Sequence, residues 1–246
     1  HSLGTRAWAP FEWAVPDELR GKQASVEILV DGHHGGSGCF VSDDGLVLTA
    51  AHIPGRPGRM LEVLTPDGGR LKATVAAVDL GHDLILLRVE PREGGYAVLE
   101  LAAEVPPPGA NVFLYSASVF RHGLLQTGTV ARDGLTFEHQ GHFVEVTQIA
   151  AVVQEGTSGG PWINREGKLI GVQSGSVTNK SVPGGIANVS PVQAVRVLLE
   201  TKRNASTPAI GVFVDEVWVL NPNQLRRFPP ATEGMVVQSL QADGPA

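Results

Sequence analysis

The sequence predicts an all-β protein: two β-barrels closed by one C-terminal helix, with a short unit of different character behind them. Three observations carry this. The 246 residues include 30 Gly and 17 Pro, the turn-formers that many short strands require. Short apolar runs, broken by turn residues, recur from residue 24 to residue 173 without a helical period between them. A single helical pattern follows, and it comes after the last of these runs. Hydrophobic residues at 42% and charged residues at 18% suit a chain that buries a substantial core.

Residues 1–20 hold Trp8, Phe11 and Trp13 with two prolines and little periodicity. These aromatics either pack back on the domain or form a subunit contact. Residues 24–30 read as a strand, followed by a Gly/His turn at 32–38. The runs 39–41 and 46–49 read as a hairpin around Asp43-Asp44-Gly45, residues that tolerate positive φ. Further strands are expected at 61–64, 71–78, 84–89, 111–115, 125–130, 143–150, 161–164 and 168–173. The prolines at 106–108 link two halves of similar size. Ser190 as N-cap, Pro191 in the first turn, apolar Val192, Val195, Leu198 and Leu199, then Lys202 and Arg203, predict a helix over 191–203. Residues 208–246 begin a new unit with short strands at 211–214 and 234–237. So short a stretch is either an incomplete domain or one that leans on the barrels.

Composition also excludes. A net charge of −6, from 25 acidic and 19 basic residues, repels phosphate backbones, and no basic cluster offsets it. The Arg226-Arg227 pair reads as a solvated face, and nucleic acid is not an expected partner. The single cysteine, Cys39, forbids an intramolecular disulfide and any cysteine-based metal cluster; it reads as a small core residue. His33-His34 reads as a solvated turn, with no metal expected. Trp162 is expected in the core of the second barrel. No run of about 18 apolar residues is present, so no membrane span is expected. The chain opens with His1-Ser2 and shows no signal peptide, as in a processed or trimmed chain.

Three segments carry chemistry. In Gly156-Thr157-Ser158-Gly159-Gly160-Pro161 a serine stands between glycines, where backbone can approach a substrate and aim amides at a developing oxyanion. The apolar strand Leu46-Val47-Leu48-Thr49 leads to Ala50-Ala51-His52. Asp83 directly precedes the apolar run Leu84-Ile85-Leu86-Leu87. Singly, each also fits a bland role: a Gly-rich turn, a structural histidine, a cap. Together they supply a hydroxyl, a base of suitable pKa and a carboxylate that fixes the base's tautomer, which is the requirement for nucleophilic acyl transfer.

Gly36-Ser37-Gly38-Cys39-Phe40-Val41, then Asp44-Gly45-Leu46-Val47-Leu48-Thr49 up to His52, resembles the N-terminal barrel signature of the HtrA (DegP-like) serine proteases. Glu166-Gly167-Lys168-Leu169-Ile170-Gly171-Val172 is similar to that family's strand after the nucleophile. The resemblance covers most of residues 23–203. It implies two six-stranded antiparallel barrels of the chymotrypsin/trypsin type, with a protease domain over 21–204 (barrels about 21–105 and 109–190). It implies His52, Asp83 and Ser158 as catalytic triad and Gly156, Thr157 and Ser158 as oxyanion hole. Val152, Val153, Gln173, Ser174, Gly175 and Asn188 fall at the substrate pocket. Without an acid on its floor, that pocket would take small to medium aliphatic side chains. Ala209-Ile210-Gly211-Val212 and Glu233-Gly234-Met235-Val236-Val237 look like the opening of a PDZ domain, with Ala209, Ile210, Gly211 and Val212 as its peptide-carboxylate loop. The family further implies unfolded or extended polypeptide substrates, protein quality control, a homotrimer, a bacterial periplasm or envelope location, and no cofactor.

The family usually has Asn-Pro-Gly-Asn-Ser before its glycines, whereas this chain reads Gln154-Glu155-Gly156-Thr157-Ser158. Loss of the proline predicts a looser loop. Glu155 also sets a carboxylate near the developing charge, so the hole is expected to be imperfect at rest. Two other readings stay open: a catalytically silent chaperone or binding protein on the same fold, and another chymotrypsin-like hydrolase such as a glutamyl endopeptidase.

Overall fold

The computed structural model describes residues 18–118, 123–139, 142–179, 182–203, 205 and 210–241; Trp8, Phe11 and Trp13 lie outside them. In chain order, α1 (Glu18–Ala24) leads into β1 (Ser25–Val30), β2 (His33–Phe40), β3 (Leu46–Ala50), β4 (Leu61–Leu64), β5 (Arg70–Asp79) and β6 (Leu84–Val89). These six antiparallel strands close into a barrel in the order β1-β2-β3-β6-β5-β4. A second six-stranded barrel follows in the order β10-β11-β12-β9-β8-β7. Its strands are β7 (Asn111–Ser116), β8 (Leu124–His139), β9 (His142–Ala150), β10 (Pro161–Ile163), β11 (Leu169–Asn179) and β12 (Val182–Pro191). Helix α2 (Val192–Thr201) comes next. The expected all-β, two-barrel fold of the chymotrypsin type is the observed one.

Three apolar clusters explain why long runs such as Leu84-Ile85-Leu86-Leu87 lack alternation. Ile85, Leu87 and Val89 of β6 enter the first barrel with Ile28, Phe40, Val47 and Val63. Leu84 and Leu86 face the other way, into a cluster with Leu48, Tyr115, Leu169, Val172, Val195 and Leu198. That cluster draws on both barrels and on α2, so strands beside it are buried on both faces. Trp162 is fully buried in the second barrel with Val112, Leu114, Ile149, Ile170 and Val189, as expected. Cys39 is buried in the inter-barrel cluster, and burial pushes its thiol pKa far up, so it is a structural and unreactive group.

Several elements depart from the sequence reading. The turn expected at 32–38, with solvated His33-His34, shrinks to Asp31-Gly32, and β2 begins at His33. Glycine serves close packing there, because a Cβ on Gly36 would lie 2.8 Å from the Ser158 carbonyl oxygen and one on Gly38 2.9 Å from that of Leu48. Strand β12 was not anticipated, since Pro183-Gly184-Gly185 reads locally as a turn; pairing with both β11 and β9 imposes the strand. Helix α1 has seven residues, too short to announce itself by pattern, and buries Ala24 in the inter-barrel cluster. Ser190 is not the N-cap of α2. That position is Pro191, with no side-chain cap, and the Ser190 hydroxyl instead donates to the His82 carbonyl at 2.5 Å.

The chain divides into two compact units, 1–205 and 206–246. The second contains an antiparallel pair, β13 (Val212–Glu216) and β14 (Met235–Leu240). A 3-10 turn (Val217–Val219) and a short helix, α3 (Pro222–Leu225), lie between them, the helix held by a capping box of Asn221 and Gln224. Trp218, Met235, Val237 and Leu240 are exposed in this unit.

The Trp162 ring N–H donates to Gln173 Oε1 at 2.8 Å in the second barrel. Trp162→Phe leaves that buried oxygen unpaired, so urea unfolding should show a loss of about 1–3 kcal/mol. Unchanged stability would mean the bond contributes nothing.

Candidate active site

β3 delivers His52 to the seam between the barrels, and the turn before β6 delivers Asp83. Asp83 adopts a left-handed backbone (φ 55°), unusual for a residue with a side chain, which requires its surroundings to hold it. They do. Its carbonyl accepts from the Ala51 amide at 3.0 Å, and Asp83 Oδ1 accepts the His52 backbone amide at 2.8 Å. Asp83 Oδ2 bonds His52 Nδ1 at 2.7 Å and accepts the Ser174 hydroxyl, which comes from the second barrel, at 2.6 Å. The hydrogen bond to Asp83 raises the His52 pKa above its ordinary value, opposing the downward pull of desolvation. Nδ1 is therefore committed to Asp83, and Nε2 is the nitrogen left for proton transfer. The ring is half exposed.

Ser158 lies in the loop before β10. Its hydroxyl donates to the Ser174 carbonyl at 3.3 Å. Ser174 thus touches two of the three candidate groups, one through its hydroxyl and one through its backbone. Among the described residues, no hydrogen bond joins Ser158 Oγ to His52, so serine and histidine meet the same neighbourhood without being paired.

The loop is not slack, despite its missing proline. Thr157 is 2% exposed, and both its hydroxyl (2.6 Å) and its amide (3.2 Å) donate to the Gln154 carbonyl. Thr157, grouped by sequence with the oxyanion donors, is accordingly turned inward with its amide spent. Among the described residues, the amides of Gly156 (φ 90°) and Ser158 donate to no protein acceptor. Ser37 of β2 grips this loop from the first barrel: its amide donates to the Ser158 carbonyl at 2.7 Å and its hydroxyl to the Gly156 carbonyl at 2.8 Å. Glu155 is exposed. A Cβ on Gly159 (φ 81°) would lie 2.1 Å from the Ser37 carbonyl oxygen, so only glycine fits there.

The pocket candidates separate. Ser174, Gly175 and Asn188, with His82, Asp83 and Val144, line a cavity of about 200 Å³. Gln173 is buried instead, its amide joining Trp162 to the Gly175 carbonyl at 2.6 Å. Val152 is exposed with its carbonyl bonded to Gln126, and Val153 packs against the second barrel's core; neither lines that cavity. Of the four proposed carboxylate-loop residues, Ala209 lies outside the described residues, Ile210 is exposed, Gly211 accepts the Gln241 amide and Val212 opens β13. Among the described residues no group of three or more His, Cys, Asp and Glu side chains could hold a metal, and no helix is long and apolar enough to cross a membrane.

Sequence reasoning missed a second, buried acid–histidine pair behind Asp83. His82 Nδ1 bonds Asp79 Oδ2 at 3.1 Å, and its Nε2 accepts the Glu145 amide from β9 at 3.4 Å. Burial pushes the Asp79 carboxyl up, yet hydrogen bonds from the His82 side chain and from the His82 and Ala205 amides outweigh it and hold the pKa below the usual carboxylate range. With Ser190 on the His82 carbonyl, the residue before Asp83 is tied to both barrels. The only local hint was the adjacency His82-Asp83. The hydroxyls of Ser37 and Ser190 gave no such sign.

The model of the trypsin-like peptidase domain matches residues 36–172. Serine protease HTRA1 of Xenopus tropicalis is 28% identical over 227 residues, covering 86% of this chain and 48% of that protein. Human serine protease HTRA4 is 32% identical over 172 residues, covering 68% of this chain and 34% of that protein. The mitochondrial serine protease HTRA2 of Drosophila erecta is 31% identical over 172 residues, covering 67% and 39%. The chain spans about half the length, or less, of these relatives. A structure titled HtrA-type protease AlgW with decapeptide shares the fold at a TM-score of 0.65 and 19% identity, covering 92% of this chain and 78% of that one.

Asp79→Asn should cost about 1–3 kcal/mol at neutral pH in urea unfolding. A depressed carboxyl pKa stabilises above the unfolded value and loses that contribution as pH falls through the folded one. The gap between variant and wild type should therefore narrow as pH falls below the ordinary carboxylate value of 3.8. A gap independent of pH would show that ionised Asp79 is not what stabilises.

Proposed function

The chain belongs to the trypsin-like peptidase domain family, and from that premise we propose that it is a serine endopeptidase of the HtrA type that cleaves unfolded or extended polypeptides. One observation carries the reading. Asp83 Oδ2 is bonded at once to His52 and to Ser174, whose carbonyl holds the Ser158 hydroxyl.

In the proposed reaction the substrate lies along the strand Ser174-Gly175-Ser176, where Gly175 and Ser176 are exposed for backbone pairing. A substrate N–H taken by the Ser174 carbonyl frees the Ser158 hydroxyl to turn toward His52. His52 Nε2 accepts its proton as Oγ attacks the scissile carbonyl, and Asp83 stabilises the imidazolium. The amides of Gly156 and Ser158 receive the oxyanion. His52 then protonates the leaving amine, and water, deprotonated by the same imidazole, hydrolyses the acyl-enzyme. No cofactor enters any step. By resemblance alone, Val152 and Val153 stand for a pocket floor without an acid, which would favour small to medium aliphatic side chains, although neither lines the cavity beside Asp83.

The wider reading rests on resemblance alone. It takes 21–204 as the protease domain, 1–20 as a trimer contact, and 208–246 as the opening of a PDZ domain whose residues Ala209 to Val212 receive a peptide carboxylate. It places the protein in quality control within a bacterial envelope. A catalytically silent chaperone on this fold is the second reading, favoured by the resting hydrogen bond of Ser158 on Ser174 rather than on His52.

A fluorophosphonate probe should label Ser158 in the wild type and not in Ser158→Ala, with cleavage of a denatured protein lost in parallel. Because His52 must be neutral to act and Asp83 raises its pKa, activity should fall with acidification from above the ordinary imidazole value of 6.5. Asp83→Asn should move that limb to lower pH and reduce kcat by about 10⁴. An unlabelled wild type that cleaves nothing would favour the silent reading.

A further inference from the structure

Ser37 is 1% exposed in β2, far in sequence from the nucleophile loop, and all its polar atoms are engaged. Its hydroxyl donates to the Gly156 carbonyl at 2.8 Å and accepts the Ala117 amide at 2.8 Å. Its amide donates to the Ser158 carbonyl at 2.7 Å, and its own carbonyl accepts the Thr49 hydroxyl at 2.6 Å. The two loop carbonyls it holds belong to the residues whose amides stay free. Gly156 sits at φ 90°, where glycine has conformations on either side to escape to. Its carbonyl lies in the peptide plane shared with Thr157, whose N–H is already spent on Gln154; pinning that plane anchors Gly156 and narrows the turns left to its own N–H.

Packing agrees with this role. A Cβ on Gly36 would lie 2.8 Å from the Ser158 carbonyl oxygen, one on Gly156 2.9 Å from the Ala117 carbonyl oxygen, and one on Gly159 2.1 Å from Thr49 Oγ1. Glycines on both sides bring the backbones close enough for one serine to bridge them.

We propose that Ser37 is a positioning residue for the oxyanion hole, its hydroxyl and amide pinning the peptide groups that follow Gly156 and Ser158 so that the loop holds those two residues' own N–H donors convergent before substrate arrives. It never touches substrate; it acts through the loop. The proposal rests on the peptidase reading above.

The test compares Ser37→Ala with wild type on a peptide substrate, a peptide aldehyde and the matching peptide alcohol. Addition of Ser158 Oγ to the aldehyde places an oxyanion on the loop, whereas the alcohol binds without one. Ser37→Ala should lower kcat about 10- to 100-fold, leave KM within about twofold, and weaken the aldehyde by the same factor as kcat. Alcohol affinity and the acid limb set by His52 should not move. A folded Ser37→Ala with unchanged kcat and aldehyde affinity overturns the proposal, as does equal weakening of aldehyde and alcohol. Should Ser37→Ala not fold, Thr49→Val, which removes only the donor to the Ser37 carbonyl, should show the same selective loss at smaller amplitude; equal aldehyde affinity there overturns it. A wild type that neither cleaves nor takes the fluorophosphonate overturns the peptidase reading itself, and this proposal with it.

Discussion

Everything at this site depends on one carboxylate oxygen held from two sides. Asp83 Oδ2 receives His52 from the first barrel and Ser174 from the second, at 2.7 and 2.6 Å. An acceptor shared in this way converts the docking of two barrels into the alignment of a base. Charge-assisted hydrogen bonds of that length are worth more than neutral ones and are sensitive to direction. A small slip between the barrels would therefore weaken the Ser174 bond and leave the His52 bond, which lies within the first barrel, without that support.

The seam is built to resist such a slip. Its apolar part interlocks Leu48, Leu84 and Leu86 of the first barrel with Tyr115, Leu169 and Val172 of the second, under α2. Among the described residues its polar part includes Ser37 to the nucleophile loop and Ala117, Ser174 to Asp83, and His82 to Glu145 and Ser190. Apolar packing supplies area without direction, and the hydrogen bonds supply direction with little area. The left-handed backbone of Asp83 is tolerated because the bonds of Ala51, His52 and Ser174 fall on Asp83 itself and those of Glu145 and Ser190 on the residue before it.

The two-barrel fold was legible because buried strands leave apolar runs and turns leave Gly and Pro. His52, Asp83 and Ser158 stood out as candidates because each lies close to such a run. What stayed hidden depends on partners far along the chain. Strand β12 carries the turn-like Pro183-Gly184-Gly185, and what makes it a strand is the pairing of residues 186–189 with β11 on one side and β9 on the other. Ser190 has the local look of an N-cap, but its hydroxyl is drawn to a carbonyl 108 positions away. The inward turn of Thr157 and the burial of Gln173 are likewise set by contacts that no local pattern records.

A burst titration with a p-nitrophenyl ester, followed by mass analysis of the intact chain, examines the union of these groups in one step. Close to one equivalent of nitrophenolate per chain, with a single acyl group on Ser158, is the expected result. Steady background hydrolysis without a burst, or acylation at another residue, would mean that the shared carboxylate does not activate this serine.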